Sequence, residues 1–83
     1  MIHYQEAIND FNKVLFFAPD QLLALQFRGD AHRRRAALKA SRRMDAGADF
    51  QAALTDYEHA LRLEPALEKE WRDAIAACKA GIK

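Results

Sequence analysis

Tyr4-Gln5-Glu6-Ala7-Ile8-Asn9-Asp10-Phe11 returns 46 residues later as Phe50-Gln51-Ala52-Ala53-Leu54-Thr55-Asp56-Tyr57. The echo continues past these octets, since Leu15-x-Phe17-x-Pro19 falls on Leu61-x-Leu63-x-Pro65 at the same offset. Within each copy the apolar residues recur three and four apart: Ala7, Ile8, Phe11, Val14 and Leu15, then Ala53, Leu54, Tyr57, Ala60 and Leu61. Residues so spaced share one face of a helix, so each copy reads as an amphipathic helix turned toward a core. Each helix stops near its proline, because the residue before Pro is driven out of the helical region.

Between the copies lies a second helical stretch, beginning near Leu22 with Asp20 as the expected N-cap. After Pro65 comes a last one, with Glu68 and Glu70 in its first turn, Lys79 in its last and Gly81 just beyond, as the helix dipole and C-capping favour. The sequence therefore predicts an all-α chain of four helices, at residues 2–17, 21–44, 49–64 and 67–80. They form one domain over 1–83, with sequential helices antiparallel because the connections are short.

These residues resemble the tetratricopeptide (TPR) pattern, W-x2-L-G-x2-Y followed by A-x3-F and P in a unit of about 34 residues. Its second-helix half matches twice, as Ala7-x3-Phe11 with Pro19 and as Ala53-x3-Tyr57 with Pro65. Its first-helix half matches as Leu25-x2-Arg28-Gly29-x2-His32 and, degraded, as Trp71-x2-Ala74-Ile75-x2-Cys78. The resemblance covers nearly the whole chain. It implies antiparallel helical hairpins in a right-handed solenoid fragment: a half repeat at 2–17, a full repeat at 21–64 and a capping helix at 67–80.

The chain departs from the pattern in one place above all. Gly29 and Ala53 lie 24 residues apart where about twelve are expected. The insertion has no Gly or Pro between Arg33 and Arg43, so it most simply lengthens the first helix of the full repeat by about 18 Å. The other reading is a floppy basic loop. Gly47 and Asp49 are expected in the turn that follows.

Charge singles out the same stretch. The 83 residues carry a net charge of +1. From His32 to Arg43 there are six basic residues (Arg33, Arg34, Arg35, Lys39, Arg42 and Arg43) and no acidic one, while the remainder holds seven basic and twelve acidic. Such a block could neutralise several phosphates, although it carries no aromatic residue to stack on bases. It could also be a solvated face.

No catalytic constellation is present, and the chain reads as a non-enzyme with no cofactor, no metal and no small-molecule substrate. His3, His32 and His59 are scattered, Gly29, Gly47 and Gly81 are too dispersed to cradle a phosphate, and Glu58 and His59 are adjacent and diverge on a helix. The single cysteine, Cys78, excludes an internal disulfide and favours a reducing, cytoplasmic setting. The resemblance places it at the repeat's aromatic position, as a buried structural thiol. No apolar run approaches the length of a membrane span.

The resemblance also implies where function would lie. It points to a protein-interaction scaffold or adaptor that holds a peptide or helix in a concave groove lined by first helices. Carried onto this chain, the groove positions are Leu23, Gln26, Phe27 and Asp30, with Lys69, Arg72, Asp73 and Ala76. Phe27 is either an exposed anchor or tucked against the neighbouring helix. Many members grip a carboxylate terminus with Lys and Asn one turn apart. Here those places hold Gln26 and Asp30, which argues against that clamp despite Arg72. Arg28 is expected to pair with Asp10 or Asp56, a structural role like those of Gly29, Pro19 and Pro65. Of Phe16 and Phe17, one should be buried and the other partly exposed.

Because so few repeats bury little surface, the chain is expected either to belong to a longer array or to self-associate. Leu25, Gly29, His32, Ala36, Ala40 and Met44 form a narrow stripe of mostly small residues that would let a second helix approach closely, and a protruding arm at Arg34 to Met44 is expected to pack on a partner chain in a homodimer. Two other functions compete: binding of the basic arm to nucleic acid or another anionic surface, and a purely structural oligomerisation unit.

Overall fold

The computed structural model describes residues 3–82 and is all-α. Four helices follow in order: α1 (Tyr4–Phe17), α2 (Leu22–Ser41), α3 (Gly47–Leu63) and α4 (Glu68–Gly81), with a 3-10 turn at Pro65–Leu67 ahead of α4. No strand occurs among the described residues. The expected start of the first helix at residue 2 lies outside them. α1 packs on α2, α2 on α3 and α3 on α4.

The prolines act as expected. Ala18 and Glu64, which precede them, leave the helix with nearly the same backbone (φ −137°, ψ 78° and φ −141°, ψ 86°). Each still donates its N–H four residues back, Ala18 to the Val14 carbonyl and Glu64 to that of Ala60. The two copies of the internal repeat thus end alike in backbone as well as in sequence. The start of α2 differs from expectation: Gln21, not Asp20, is the N-cap, its Oε1 accepting the Leu23 N–H at 2.9 Å. Asp20 instead lies 3.0 Å from His59 Nε2.

The core gathers Leu15, Ala24, Leu25, Ala53, Leu54, Tyr57, Ala60, Trp71 and Cys78 from all four helices. Large side chains buried as completely as Leu25 contribute about 1.5–3 kcal/mol each. Helices α2 and α3 meet closely at Gly29, where an added Cβ would lie 3.1 Å from the Tyr57 ring and 3.4 Å from the Asp56 Cβ. Gly81 serves a similar purpose and not the expected capping one. It is the last residue of α4, its φ is not positive, and a Cβ there would run into the Phe50 ring.

The insertion does lengthen α2, but only to Ser41 and not to residue 44. The helix stops because Arg43 adopts a left-handed conformation (φ 58°), which lets the Arg43 N–H bond the Ala40 carbonyl and the Met44 N–H bond the Lys39 carbonyl. This pairing satisfies the terminal carbonyls that a helix otherwise leaves open. Residues 42–46 then reverse the chain, and the Asp45 carboxylate accepts the Gly47 N–H at 3.0 Å. Gly47 and Asp49 belong to the first turn of α3, not to the turn before it.

Nor is the lengthened end a protruding arm. Its inner side rests on α3 and its flank on the start of α1, with Ala36 fully buried and Arg35 Nη1 donating to Gln5 Oε1 at 2.6 Å. Of the small-residue stripe, Leu25, Gly29 and Ala36 are buried inside the chain, whereas Ala40 and Met44 are exposed. Phe16 and Phe17 also differ from expectation. Both are exposed, at 79% and 83%, and they stack edge to face on one another (5.1 Å, 88°).

An L-residue in the left-handed region costs about 1–2 kcal/mol, and glycine does not. Arg43→Gly should therefore raise stability by about 1 kcal/mol, read as an increased urea midpoint with unchanged slope.

Candidate functional site

Two surfaces concentrate chemistry: a polar seam between α2 and α3, and an apolar band along α1 and α2. The seam arises from helical periodicity. Arg28, His32, Arg35 and Lys39 fall on one side of α2, and Asp49 and Asp56 lie two turns apart on the facing side of α3. At one end Arg28 grips Asp56 through both carboxylate oxygens (Nε–Oδ2 2.8 Å, Nη2–Oδ1 2.6 Å) and reaches α1 with a 2.9 Å bond to Asn12 Oδ1. Of the two expected partners Arg28 thus takes Asp56. Asp10 is exposed.

At the other end Asp49 is buried and collects three bases. Arg35 donates to it twice (3.0 and 2.7 Å), Lys39 Nζ lies at 2.9 Å and His32 Nδ1 at 3.1 Å. Burial opposes the charged carboxylate, but the hydrogen bonds from Arg35, Lys39 and His32 outweigh it and hold Asp49 well below the usual carboxylate range. A third polar group joins α2 to α3 at the Tyr57 hydroxyl, which donates to Asp30 and accepts from Arg33 Nε at 3.1 Å. Burial, aided by the Asp30 bond, pushes this phenol above its ordinary range. Among the described residues every buried side-chain nitrogen and oxygen has a partner.

The basic block therefore divides. Arg33, Arg35 and Lys39 are engaged by Tyr57, Asp30 and Asp49, whereas Arg34, Arg42 and Arg43 are exposed. Half of the expected phosphate-neutralising charge is spent inside the fold. Burial also raises the pKa of the Cys78 thiol, away from the thiolate that a nucleophile needs. Among the described residues no three His, Cys, Asp or Glu side chains converge as metal ligands do, and no helix is long and apolar enough to cross a membrane.

The expected groove positions are divided as well. Leu23 and Phe27 stand one turn apart on α2 and are both exposed. Phe27 combines its two alternatives, since it is 45% exposed while its ring leans on Phe11 of α1 (5.9 Å). Asp30 turns inward to Tyr57, and Gln26 is half-buried. Lys69, Arg72 and Asp73 are exposed on α4. Arg72 and Ala76 line a cleft of about 450 Å³ whose other wall is α3, at Glu58 and Leu61, not α2.

The Phe11–Phe27 contact sets two apolar rows side by side. Phe11, Val14 and Phe17 follow at steps of three on α1, and Leu23 and Phe27 follow at a step of four on α2. Phe11 and Val14 read as core in the sequence because they belong to the same apolar face that buries Ile8 and Leu15. No family model matches this chain, and no curated protein or solved structure matches it significantly.

The Asp49 cluster makes stability depend on pH. A carboxyl whose pKa is lowered by folding stabilises fully above its unfolded value of about 3.9, and the contribution fades as pH falls below that. Asp49→Asn should lower stability at neutral pH by about 3 kcal/mol, because three basic groups lose their charged partner. It should also flatten the fall of stability below pH ~5, both measured by urea denaturation across an acid series.

Proposed function

We propose that this chain is a protein-interaction module of the tetratricopeptide kind, holding an amphipathic helix of a partner on the exposed face of α1 and α2. Support for the repeat reading comes from the duplicated Ala-x3-aromatic stretches and their shared proline exits. The observation that carries the binding reading is the apolar band itself. Val14 and Phe17 on α1 and Leu23 and Phe27 on α2 are all exposed, and the two helices meet there through Phe11 and Phe27. Single exposed apolar residues are ordinary, but contiguous rows of this size mark interaction surfaces, and aromatic residues dominate the energetics of such contacts.

The band is shaped for a helix. Its two rows follow helical steps, so a third helix laid along the α1–α2 groove would present residues at i, i+3, i+4 and i+7 to both. Its rigidity is provided from beneath, since Phe27 and Leu23 share α2 with the side chains of the polar seam. A partner would therefore meet a pre-ordered surface and lose little affinity to ordering it.

The test is a helical-peptide display selection against the chain, with binding sites located by backbone amide shift changes. Selected peptides should perturb Val14, Leu23 and Phe27. Leu23→Ser together with Phe27→Ser should weaken them at least about tenfold, as loss of two anchors predicts, while melting changes little. Peptides that bind the double variant as well as the wild type would remove this face from consideration.

A further inference from the structure

The 46-residue offset makes α1 the counterpart of α3, and α2 the counterpart of α4. Helix α3 is packed by α2 on one side and α4 on the other, whereas among the described residues the extensive packing of α1 is on α2. The neighbour that α1 lacks is thus a counterpart of α2, which is what α4 is. Helix α4 in turn packs on α3 and lacks a second neighbour of the α1 and α3 type. The two open faces are counterparts of the two faces that meet inside the molecule.

Exposure follows this equivalence position by position. Ala53, Asp56, Tyr57 and Ala60 are buried, while Ala7 and Phe11 are half-buried and Asp10 and Val14 are exposed. The contrast is sharpest at the last pair, with Ala60 at 0% and Val14 at 44%. On the receiving side, the α3–α4 cleft is lined by Glu58, Leu61 and Pro65, the counterparts of Asn12, Leu15 and Pro19. Those three line a cavity between α1 and α3, and the α3 residue facing them there is His59.

Charge agrees with the superposition. The counterpart of His59 is Lys13, so a second copy's α1 laid in the cleft sets Lys13 beside Glu58. The counterpart of Asp56 is Asp10, and Asp56 lies against Gly29, whose counterpart is Ile75. Asp10 of the second copy thus falls near Ile75, between Arg72 one turn before and Lys79 one turn after, both of which line the cleft. Ile75 in place of glycine keeps these helices farther apart than α2 and α3. Contact then comes from Ile75 against Phe11 and Val14, not from close backbone approach.

We infer that α1 of one copy docks into the α3–α4 cleft of a second copy, so that chains join head to tail in the order the helices already follow. The contact is heterologous and leaves an open face at each end, so assemblies grow with concentration instead of stopping at a symmetric dimer. The inference names a partner for the α1 face of the proposed module and rests on that reading. Peptide binding through Leu23 and Phe27 is scored separately, because neither residue lines the cleft.

The test uses sedimentation or light scattering of the intact chain from micromolar to millimolar concentration. The wild-type mass should rise above 9.5 kDa as concentration increases. Val14→Asp closes the α1 face and Ala76→Glu closes the cleft, both at exposed positions, so each variant alone should remain at monomer mass. Their equimolar mixture should reach twice that mass and stop, since one retains the cleft and the other retains α1. Lys13→Glu should weaken assembly and Lys13→Glu with Glu58→Lys should restore it. Wild type that stays monomeric to millimolar concentration, a mixture that stays monomeric, or a charge-swapped chain no better than Lys13→Glu alone would each overturn the inference.

Discussion

One pair of neighbouring residues on α3, Asp56 and Tyr57, seated where Gly29 leaves room on α2, reaches every other helix. Asp56 binds Arg28, and Arg28 extends to Asn12 on α1. The Tyr57 ring lies 5.4 Å from that of Trp71 on α4, while its hydroxyl is held by Asp30 and Arg33 on α2. A single turn of α3 therefore registers all four helices against one another. Both side chains are almost wholly buried, so each has to satisfy its polar atoms within the chain, and each does.

The second polar contact, around Asp49, does different work. Buried ion pairs regain through attraction much of what desolvation takes away, and their net contribution to stability is small compared with the penalty for breaking one partner. Their selectivity is larger. The guanidinium of Arg35 fits both Asp49 oxygens in a planar fork, and Lys39 and His32 approach from the turns on either side. Slipping α2 by one turn along α3 would leave the carboxylate buried and short of donors. The apolar contacts alone, many of them through alanine, discriminate such slips weakly.

Much of this was legible in the sequence. Helix number and the proline exits follow from spacing, and the resemblance implied that Arg28 pairs with Asp10 or Asp56, of which it takes Asp56. What was not legible turns on residues acting against type. Arg43 ends α2 in a conformation for which glycine or asparagine is the usual signal, so nothing in Arg42-Arg43-Met44 announced the stop. The basic stretch reads as one unit because its composition is uniform, yet helical periodicity divides it: residues 32, 35 and 39 share a side that 34 does not, and 42 lies beyond the helix end at Ser41. Phe16 and Phe17 misled for a simpler reason, since hydropathy records a preference for burial and not whether any neighbour arrives to supply it.

The link between α2 and α3 holds a further consequence. Residues 42–46 reverse the chain, but of these only Ala46 is buried, and the bonds joining the two helices all lie outside them. Arg42 and Arg43 are exposed there in non-helical backbone, a ready substrate for an enzyme that cleaves after arginine. A chain nicked at that point would retain its salt links, its tyrosine clasp and its core, so the two pieces would stay together as a reconstituted pair. The contacts that hold α2 to α3 lie between the helices and not in the link.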